Sequence, residues 1–158
     1  MIELILVGSG KRVYEDFYPI LKYLNHKKKI KLKAIVNRTR ENSDDMIKEF
    51  KCSYYKNLDE LFIDNESCMN IILSVHQSIK DNYVLKLLKK NYNVFIDTPP
   101  SHKIKFLNSL SYFKSKITFA EDQILNPIVL EFQKLIKENK ENNFEFINNN
   151  FTTNYHFF

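Results

Sequence analysis

Apolar runs of strand length alternate with polar stretches along most of the chain. Between the runs, apolar side chains recur at helical spacing, as Phe17, Leu21 and Leu24 do after the first run. The predicted strands are residues 2–7, 32–36, 52–55, 69–75, 94–96 and 117–120. Strands that are apolar throughout are typical of parallel sheets, because both faces of such sheets are covered. The pattern predicts an α/β fold with a doubly wound parallel sheet of about six strands.

Residues that favour helix ends lie between the predicted strands. The predicted helices run from Arg12 or Val13 to Asn25 and over residues 44–50, 58–62, 78–90, 101–113 and 126–139. Ser43 is a favourable N-cap, and Ser78 with Asp81 fits a capping box. Asn91 stands where a left-handed C-terminal cap is needed, and Asn126-Pro127 is a strong helix start.

The last part of the chain has a different pattern. Residues 144–147 and 151–158 are aromatic and strand-like, and three Asn residues separate them. We expect residues 1–122 to form the α/β domain. Residues 123–158 are predicted to be a linking helix and the first strands of a second, β-rich domain that is truncated or supplied by a partner. The aromatic strands also make a homo-oligomer possible.

Composition narrows the class of protein. The chain has 158 residues, of which 44% are hydrophobic and 14% aromatic, which excludes a disordered chain. Its net charge is +5, but Lys alternates with Asp and Glu, so we expect a solvated surface and no nucleic-acid partner. No apolar stretch has the length of a membrane span, and Met1 leads straight into a strand without a signal peptide.

Cysteine and histidine do not suggest a metal site. Cys52 and Cys68 lack metal-type spacing, and the four His residues are scattered. We therefore predict no metal, reduced thiols and a cytoplasmic location.

The loop after the first strand contains the sequence Gly8-Ser9-Gly10 and precedes a helix. In a βαβ unit this loop holds a pyrophosphate against the helix N-terminus. The residues expected there are Gly8, Ser9, Gly10, Lys11, Arg12 and Val13. Val13 stands where a third glycine is usual, and an ordinary tight turn is the alternative interpretation.

The loop after the second strand is rich in arginine. The chain has only three Arg among 24 basic residues, and two of them, Arg38 and Arg40, follow this strand. NAD-binding domains place a carboxylate here for the ribose, but this chain has Asn37, Arg38, Thr39 and Arg40. Arg38 or Arg40 could bind a 2′-phosphate, which favours NADP(H), with NAD(H) possible. A surface turn with solvated arginines is the alternative.

In the order of these signals, the chain resembles the NAD(P)-binding Rossmann domain of the Gfo/Idh/MocA family. The resemblance covers residues 2 to about 140. It rests on Gly8-Ser9-Gly10 with Pro19, on residues 55–61, on residues 88–97 and on Asn126-Pro127. It implies a nicotinamide-dependent oxidoreductase that transfers hydride to or from a small sugar-like or cyclic alcohol, carbonyl or imine.

The resemblance also implies roles for particular residues. The family's Glu-Lys-Pro motif, whose Lys lies near the nicotinamide, aligns with Asp97-Thr98-Pro99, so Asp97 and Thr98 are the catalytic candidates. Lys80 and Ile124 replace a common His and Arg of the family. Ser74, Val75 and His76 are expected to line the ribose–nicotinamide crevice, with Asp97, Thr98 and Pro99 beside the nicotinamide.

Two hypotheses stay open after the sequence analysis. The chain is the cofactor domain of a divergent or truncated NAD(P)-dependent oxidoreductase, or it is a catalytically inactive dinucleotide-binding or protein-interaction module. The neutral Thr98 favours the second hypothesis, since a hydroxyl cannot replace a lysine as a cation or a general acid near neutral pH.

Overall fold

The computed structural model describes residues 1–64, 68–120 and 134, and six short apolar segments within it form strands. The strands are β1 (Ile2–Val7), β2 (Ile30–Val36), β3 (Ser53–Tyr55), β4 (Asn70–Leu73), β5 (Asn93–Asp97) and β6 (Ile117–Ala120). They form one sheet in the order β3-β2-β1-β4-β5-β6. Every neighbouring pair of strands is parallel. The α/β fold with a parallel Rossmann sheet is therefore confirmed.

Helices cover both faces of this sheet. They are α1 (Tyr18–His26), α2 (Asp44–Phe50), α3 (Leu58–Ile63), α4 (Gln77–Lys89) and α5 (Ile104–Leu110), with a π-helical turn at Val13–Phe17 and 3₁₀ turns at Arg40–Ser43 and Ser111–Phe113. On one face, Leu21 of α1 and Met46 of α2 are buried in a cluster with Leu6. On the other, Leu87 of α4 is buried in a cluster with Ile5. Burial on both faces explains why the central strands are apolar throughout.

The start of α4 differs from the sequence prediction. His76 is the N-cap of this helix, and its side chain accepts a hydrogen bond from the backbone N–H of Ser78 at 3.3 Å. The predicted capping box at Ser78 is therefore wrong. A histidine ring nitrogen accepts a backbone hydrogen bond as a hydroxyl does, but residue preferences rank His low at this position. The end of the helix was predicted correctly, since Asn91 has a φ of +66°.

Other predicted boundaries are displaced by a few residues. β2 begins at Ile30, two residues early, and β4 ends at Leu73, so Ser74 and Val75 lie beyond the strand. The helix predicted from Ser101 begins at Ile104 instead. The Ser101 hydroxyl accepts a hydrogen bond from the backbone N–H of Lys103 at 3.1 Å, which holds a turn in front of the helix.

The π-helical turn before α1 has a local cause. Pro19 has no backbone N–H, and its ring would crowd the carbonyl four residues earlier in a regular α-helix. In the wider turn, the backbone N–H of Tyr18 donates to the carbonyl oxygen of Val13. The turn therefore accommodates Pro19 in the helix that follows the glycine loop.

The described residues other than Lys134 all belong to one compact unit, Met1–Glu121. The predicted helix over residues 126–139, the strands at 144–147 and 151–158, and Ile124 lie outside the described residues. The second domain therefore stays a prediction.

Candidate functional site

Four predicted segments meet at one edge of the sheet. Residues 8–13, 37–40 and 74–76 follow β1, β2 and β4, and residues 97–99 begin at the last residue of β5. The carboxyl ends of parallel strands lie at the same edge, so the sheet brings these segments together. The chain order reverses between β1 and β4, and in open α/β sheets ligands bind at such a switch point.

The glycine loop makes close contact with β4 at Gly8. Gly8 has a φ of +104°, and a Cβ on it would lie 1.9 Å from the carbonyl oxygen of Ser74. Its N–H donates to the carbonyl oxygen of Val36 at 2.8 Å, so three strand ends meet here. Only glycine fits this position without moving the backbone.

Gly10 is different, because a Cβ on it would meet no protein atom within 4 Å. The protein leaves open space over the loop at the start of the helix. Backbone N–H groups in a first helical turn lack intrahelical acceptors and favour an anion. The open space fits a pyrophosphate that lies close to the backbone.

Val13 occupies the third glycine position and is fully buried in the cluster around Leu6. Its N–H donates to the carbonyl oxygen of Gly10 at 2.9 Å. Of the amides predicted to face the anion, that of Val13 thus already has a protein partner.

The second loop is built on Tyr54 of β3. The Tyr54 hydroxyl donates to the carbonyl oxygen of Asn37 at 2.6 Å, and the Arg40 guanidinium lies 5.4 Å from the centre of the Tyr54 ring. Arg40 is also paired with Asp44 at 3.4 Å. Burial raises the pKa of Tyr54, with Glu41 adding to the shift, so this hydroxyl stays a donor. The Arg40 guanidinium therefore already interacts with two protein side chains, Tyr54 and Asp44.

Arg38 has no such partner. Its side chain is exposed, and it makes no hydrogen bond or ion pair with any residue that the structure describes. The Asn37 amide nitrogen donates to the carbonyl oxygen of Thr39 at 2.7 Å, which closes the turn around Arg38. Arg38 is therefore the arginine of this loop whose donors remain available to a ligand.

One buried and one exposed hydrogen bond tie the first loop to the second. The hydroxyls of Ser9 and Ser43 are hydrogen bonded at 3.0 Å, and both residues are buried. The Tyr14 hydroxyl donates to the carbonyl oxygen of Asn42 at 2.9 Å. Ser43 is the N-cap residue of α2, as predicted, but its side chain bonds Ser9 and makes no capping hydrogen bond. The result is a fixed distance between the two loops, which a ligand that spans both requires.

Lys80 of α4 and Asp97 of β5 form a buried ion pair. Lys80 is 3% exposed, and its Nζ lies 2.5 Å from Asp97 Oδ1. The same amine donates to the carbonyl oxygens of Asp97 at 3.3 Å and Pro99 at 2.8 Å. The Ser74 hydroxyl donates to Asp97 Oδ2 at 2.7 Å. The network fixes the turn over residues 97–99 against the ends of α4 and β4.

The sequence analysis noted Lys80 as a replacement but did not assign it a place at the site. A signal was present, because Lys80 precedes Val84, Leu87 and Leu88 on one helical stripe. A lysine on an apolar stripe indicates a buried amine with a partner.

Arg12 connects the glycine loop to Thr98. Its guanidinium donates to the Thr98 carbonyl oxygen and, at 3.2 Å, to the Thr98 hydroxyl. The hydroxyl in turn donates to the carbonyl oxygen of Ala120 at 3.4 Å. Arg12 also pairs with Asp16 at 3.5 Å, and 42% of its side chain is exposed. The sequence placed Arg12 with the pyrophosphate, whereas its guanidinium extends to the end of β5.

The described residues contain neither a metal site nor a membrane-spanning helix. No group of three His, Cys, Asp or Glu side chains there could hold a metal ion. Within the same part of the chain, no helix combines the length and apolar character needed to cross a membrane.

Taken together, the parallel sheet with its switch point, the glycine loop and the open space over Gly10 define a dinucleotide-binding Rossmann domain. The chain belongs to the Gfo/Idh/MocA family, since the model of that oxidoreductase family with an NAD-binding Rossmann fold matches residues 2–112. The chain thus contains the NAD(P)-binding domain of an oxidoreductase family.

Solved structures have the same fold at low sequence identity. An oxidoreductase from Thermotoga maritima matches 87% of this chain and 43% of its own, with a TM-score of 0.72 and 21% identity. The WlbA dehydrogenase from Bordetella pertussis, in complex with NADH and UDP-GlcNAcA, matches 87% of this chain and 40% of its own, with a TM-score of 0.71 and 12% identity. The 3-ketoreductase KijD10 from Actinomadura kijaniata, in complex with NADP and TDP-benzene, matches 87% of this chain and 42% of its own, with a TM-score of 0.69 and 10% identity.

The chain therefore spans about two fifths of the length of these structures. No protein of curated function is significantly similar to it in sequence.

Proposed function

We propose that the chain binds NADP(H) in preference to NAD(H), as the cofactor domain of an oxidoreductase. The observation that carries the preference is the end of β2, where Asn37 stands in the place of a ribose-binding carboxylate and Arg38 has no partner among the described residues. A carboxylate here would repel a 2′-phosphate, and a guanidinium can bind one with two hydrogen bonds.

Arg38 and Arg40 have different roles in this proposal. Arg40 is held by Asp44 and by the face of Tyr54. It adds positive charge to the loop and keeps the loop in place. Arg38 supplies the hydrogen bonds to the 2′-phosphate, because its donors are not used within the described protein.

The other predicted segments would hold the rest of the cofactor. Residues 8–13 would hold the pyrophosphate over Gly10, and Ser74, Val75 and His76 would line the ribose–nicotinamide crevice. Asp97, Thr98 and Pro99 would lie beside the nicotinamide, which supplies hydride transfer when it is bound. The Lys80 ion pair orients this turn, and the Arg12 contact with Thr98 holds it against the glycine loop.

We propose a small sugar-like or cyclic alcohol, carbonyl or imine as the substrate. Similar structures support this class, since one dehydrogenase is in complex with UDP-GlcNAcA and one 3-ketoreductase with TDP-benzene. A reducing, cytoplasmic location stays a prediction. A homo-oligomer through residues 144–158 stays a prediction.

A specific observation favours the alternative, a catalytically inactive dinucleotide-binding or interaction module. In the turn over residues 97–99, Asp97 is 5% exposed and held by Lys80 and Ser74, while Thr98 is neutral. This arrangement suits positioning better than proton transfer to a substrate. Both functions require cofactor binding, so binding is tested first.

The test is a calorimetric titration of the chain with NADPH and NADH. We expect Arg38→Ala to weaken NADPH binding by about tenfold or more and NADH binding by less than about threefold, because only NADPH has the 2′-phosphate. Lys31→Ala is the matched control, since it removes one exposed charge from the opposite end of β2. Equal losses for both cofactors would contradict the assignment of Arg38 to the 2′-phosphate.

A further inference from the structure

We propose that Arg12 supplies the fixed positive charge at the nicotinamide end of the crevice, in place of the lysine that the family motif has at the position of Thr98. The proposal rests on the proposed function, because it assumes a dinucleotide in the crevice. It moves Arg12 from the pyrophosphate, where its position in the chain placed it, to the end of β5.

The first argument is the reach of Arg12 across the crevice. Arg12 and Thr98 are 86 positions apart in the chain, and the guanidinium donates to both the carbonyl oxygen and the hydroxyl of Thr98. The Thr98 hydroxyl also donates to Ala120, which fixes its orientation. The guanidinium therefore has a defined place beside residue 98, and it leaves N–H donors over for a ligand.

The second argument is that the other nearby charges are neutralised. Lys80 is buried, and its amine is used by Asp97 Oδ1 and by the carbonyl oxygens of Asp97 and Pro99. Asp97 therefore leaves no unpaired negative charge, and Lys80 cannot turn toward a ligand without breaking the pair. Arg12 Nε pairs with Asp16 at 3.5 Å, but this pair is exposed and solvent-screened, so the guanidinium, 42% exposed, keeps positive charge with access to the crevice.

The chemistry follows from the guanidinium group. Arginine stays protonated at all ordinary pH values, so Arg12 cannot serve as a general acid. It can orient the cofactor and substrate oxygens by hydrogen bonds, and it can stabilise negative charge that develops near them. Arg12 would thus replace the lysine as a cation and as a donor but not as a source of protons.

The experiment compares binding of NADPH, NADH and ADP-ribose, which has the pyrophosphate but no nicotinamide. We expect Arg12→Ala to weaken NADPH and NADH by about tenfold or more, and ADP-ribose by less than about threefold. Lys22→Ala in α1 is the control, because its exposed amine pairs with Glu49 and it lies outside the candidate loops. It should change each affinity by less than about threefold.

A second variant restores the charge by another route. Thr98→Lys combined with Arg12→Ala places an amine in the space that the guanidinium leaves, and we expect NADPH affinity within about threefold of the wild-type value. Equal weakening of ADP-ribose and NADH by Arg12→Ala, no weakening of either, or no recovery in the folded double variant would overturn the proposal. If the wild-type chain bound neither dinucleotide, the proposed function itself would fail, and the two failures are therefore distinguishable.

Discussion

Gly8 and Gly10 are the only glycines of the chain, and both lie in the loop after β1. Gly8 is required by the fold, since its positive φ and its approach to Ser74 leave no room for a Cβ. Gly10 has open space on its Cβ side. Any requirement for glycine at residue 10 must therefore come from a ligand.

This difference predicts that alanine at residue 8 lowers stability, whereas alanine at residue 10 prevents cofactor binding. Gly8→Ala should lower the free energy of unfolding by about 2 kcal/mol or more, because it strains the backbone and meets a carbonyl oxygen. Gly10→Ala should change it by less than about 0.5 kcal/mol but abolish measurable NADPH binding. Urea denaturation and calorimetry measure both quantities. Normal NADPH binding by Gly10→Ala would show that the pyrophosphate does not lie over Gly10.

Cys52 is a half-buried thiol between α2 and β3. Burial raises its pKa to about 11, from a usual value of 9.0. The unfolded chain loses this proton first as the pH rises, so the thiol contributes to a loss of stability between about pH 9 and pH 11. Because the pKa of Cys52 is raised, little reactive thiolate is present near neutral pH.

We therefore predict slow alkylation of Cys52 in the folded protein. At pH 8 the reaction with iodoacetamide should be about a hundredfold slower than in the urea-unfolded chain, because the thiolate fraction differs by that factor. Mass spectrometry of a Cys68→Ala variant, in which Cys52 is the only cysteine, measures the rate. A folded-state rate that levels off near pH 9 would contradict the raised pKa.

At the scale of elements, α4 is attached to β5 by a charged contact inside an apolar interface. Val84, Leu87 and Leu88 are buried on the same helix, and Lys80 continues their stripe. The amine reaches three oxygens of residues 97–99, which gives the turn one position. The contact therefore joins core packing to the geometry of the candidate site.

Removal of the Lys80 charge should be costly. Lys80→Met leaves Asp97 buried without its partner, and we expect a loss of about 3–5 kcal/mol in the free energy of unfolding. Lys86→Met on the same helix is the matched control, because the Lys86–Asp59 pair at 3.1 Å is exposed, and it should cost less than about 1 kcal/mol. Lys80→Met with Asp97→Asn should cost less than Lys80→Met alone. Denaturation by guanidinium chloride measures the free energy of unfolding of the three variants. Equal losses for Lys80→Met and Lys86→Met would contradict the buried ion pair.

At the scale of the whole molecule, a dinucleotide would span loops from both halves of the sheet. The first two loops are already joined by Ser9 and Ser43, and the first is joined to the end of β5 by Arg12 and Thr98. Such links reduce the conformational entropy that the loops lose when a ligand binds. A ligand that binds the folded chain alone must also stabilise it.

We accordingly predict a thermal shift with cofactor. At a hundred times its Kd, NADPH should add about 2.7 kcal/mol to the free energy of unfolding, which corresponds to a rise in Tm of about 5–11 °C. The same concentration of NADH should give a smaller rise, and Gly10→Ala should show none. Differential scanning calorimetry measures the shift, and an equal shift in Gly10→Ala would place the cofactor elsewhere.

Most of the fold was predictable from local pattern, because apolar runs and turn residues act over short distances. The strands and the left-handed cap at Asn91 were found in this way. The start of α4 was not, since the His76 ring accepts the backbone N–H of Ser78 and the helix begins before Ser78, whereas residue preferences favour the Ser78 hydroxyl as the cap. The position of the candidate loops in the fold was also predictable, because ligands of open α/β sheets bind at the carboxyl ends of the strands.

The sequence by itself determined the order of strands and helices along the chain, the glycine loop and the presence of Asn37, not a carboxylate, directly after β2. Only the tertiary structure decided which side chains meet: Lys80 with Asp97, Ser9 with Ser43, and Arg12 with Thr98. These partners lie 17, 34 and 86 positions apart in the chain. The physical reason is that local preferences fix each element, whereas contacts between distant residues depend on the order of strands in the sheet and on the faces that the helices cover.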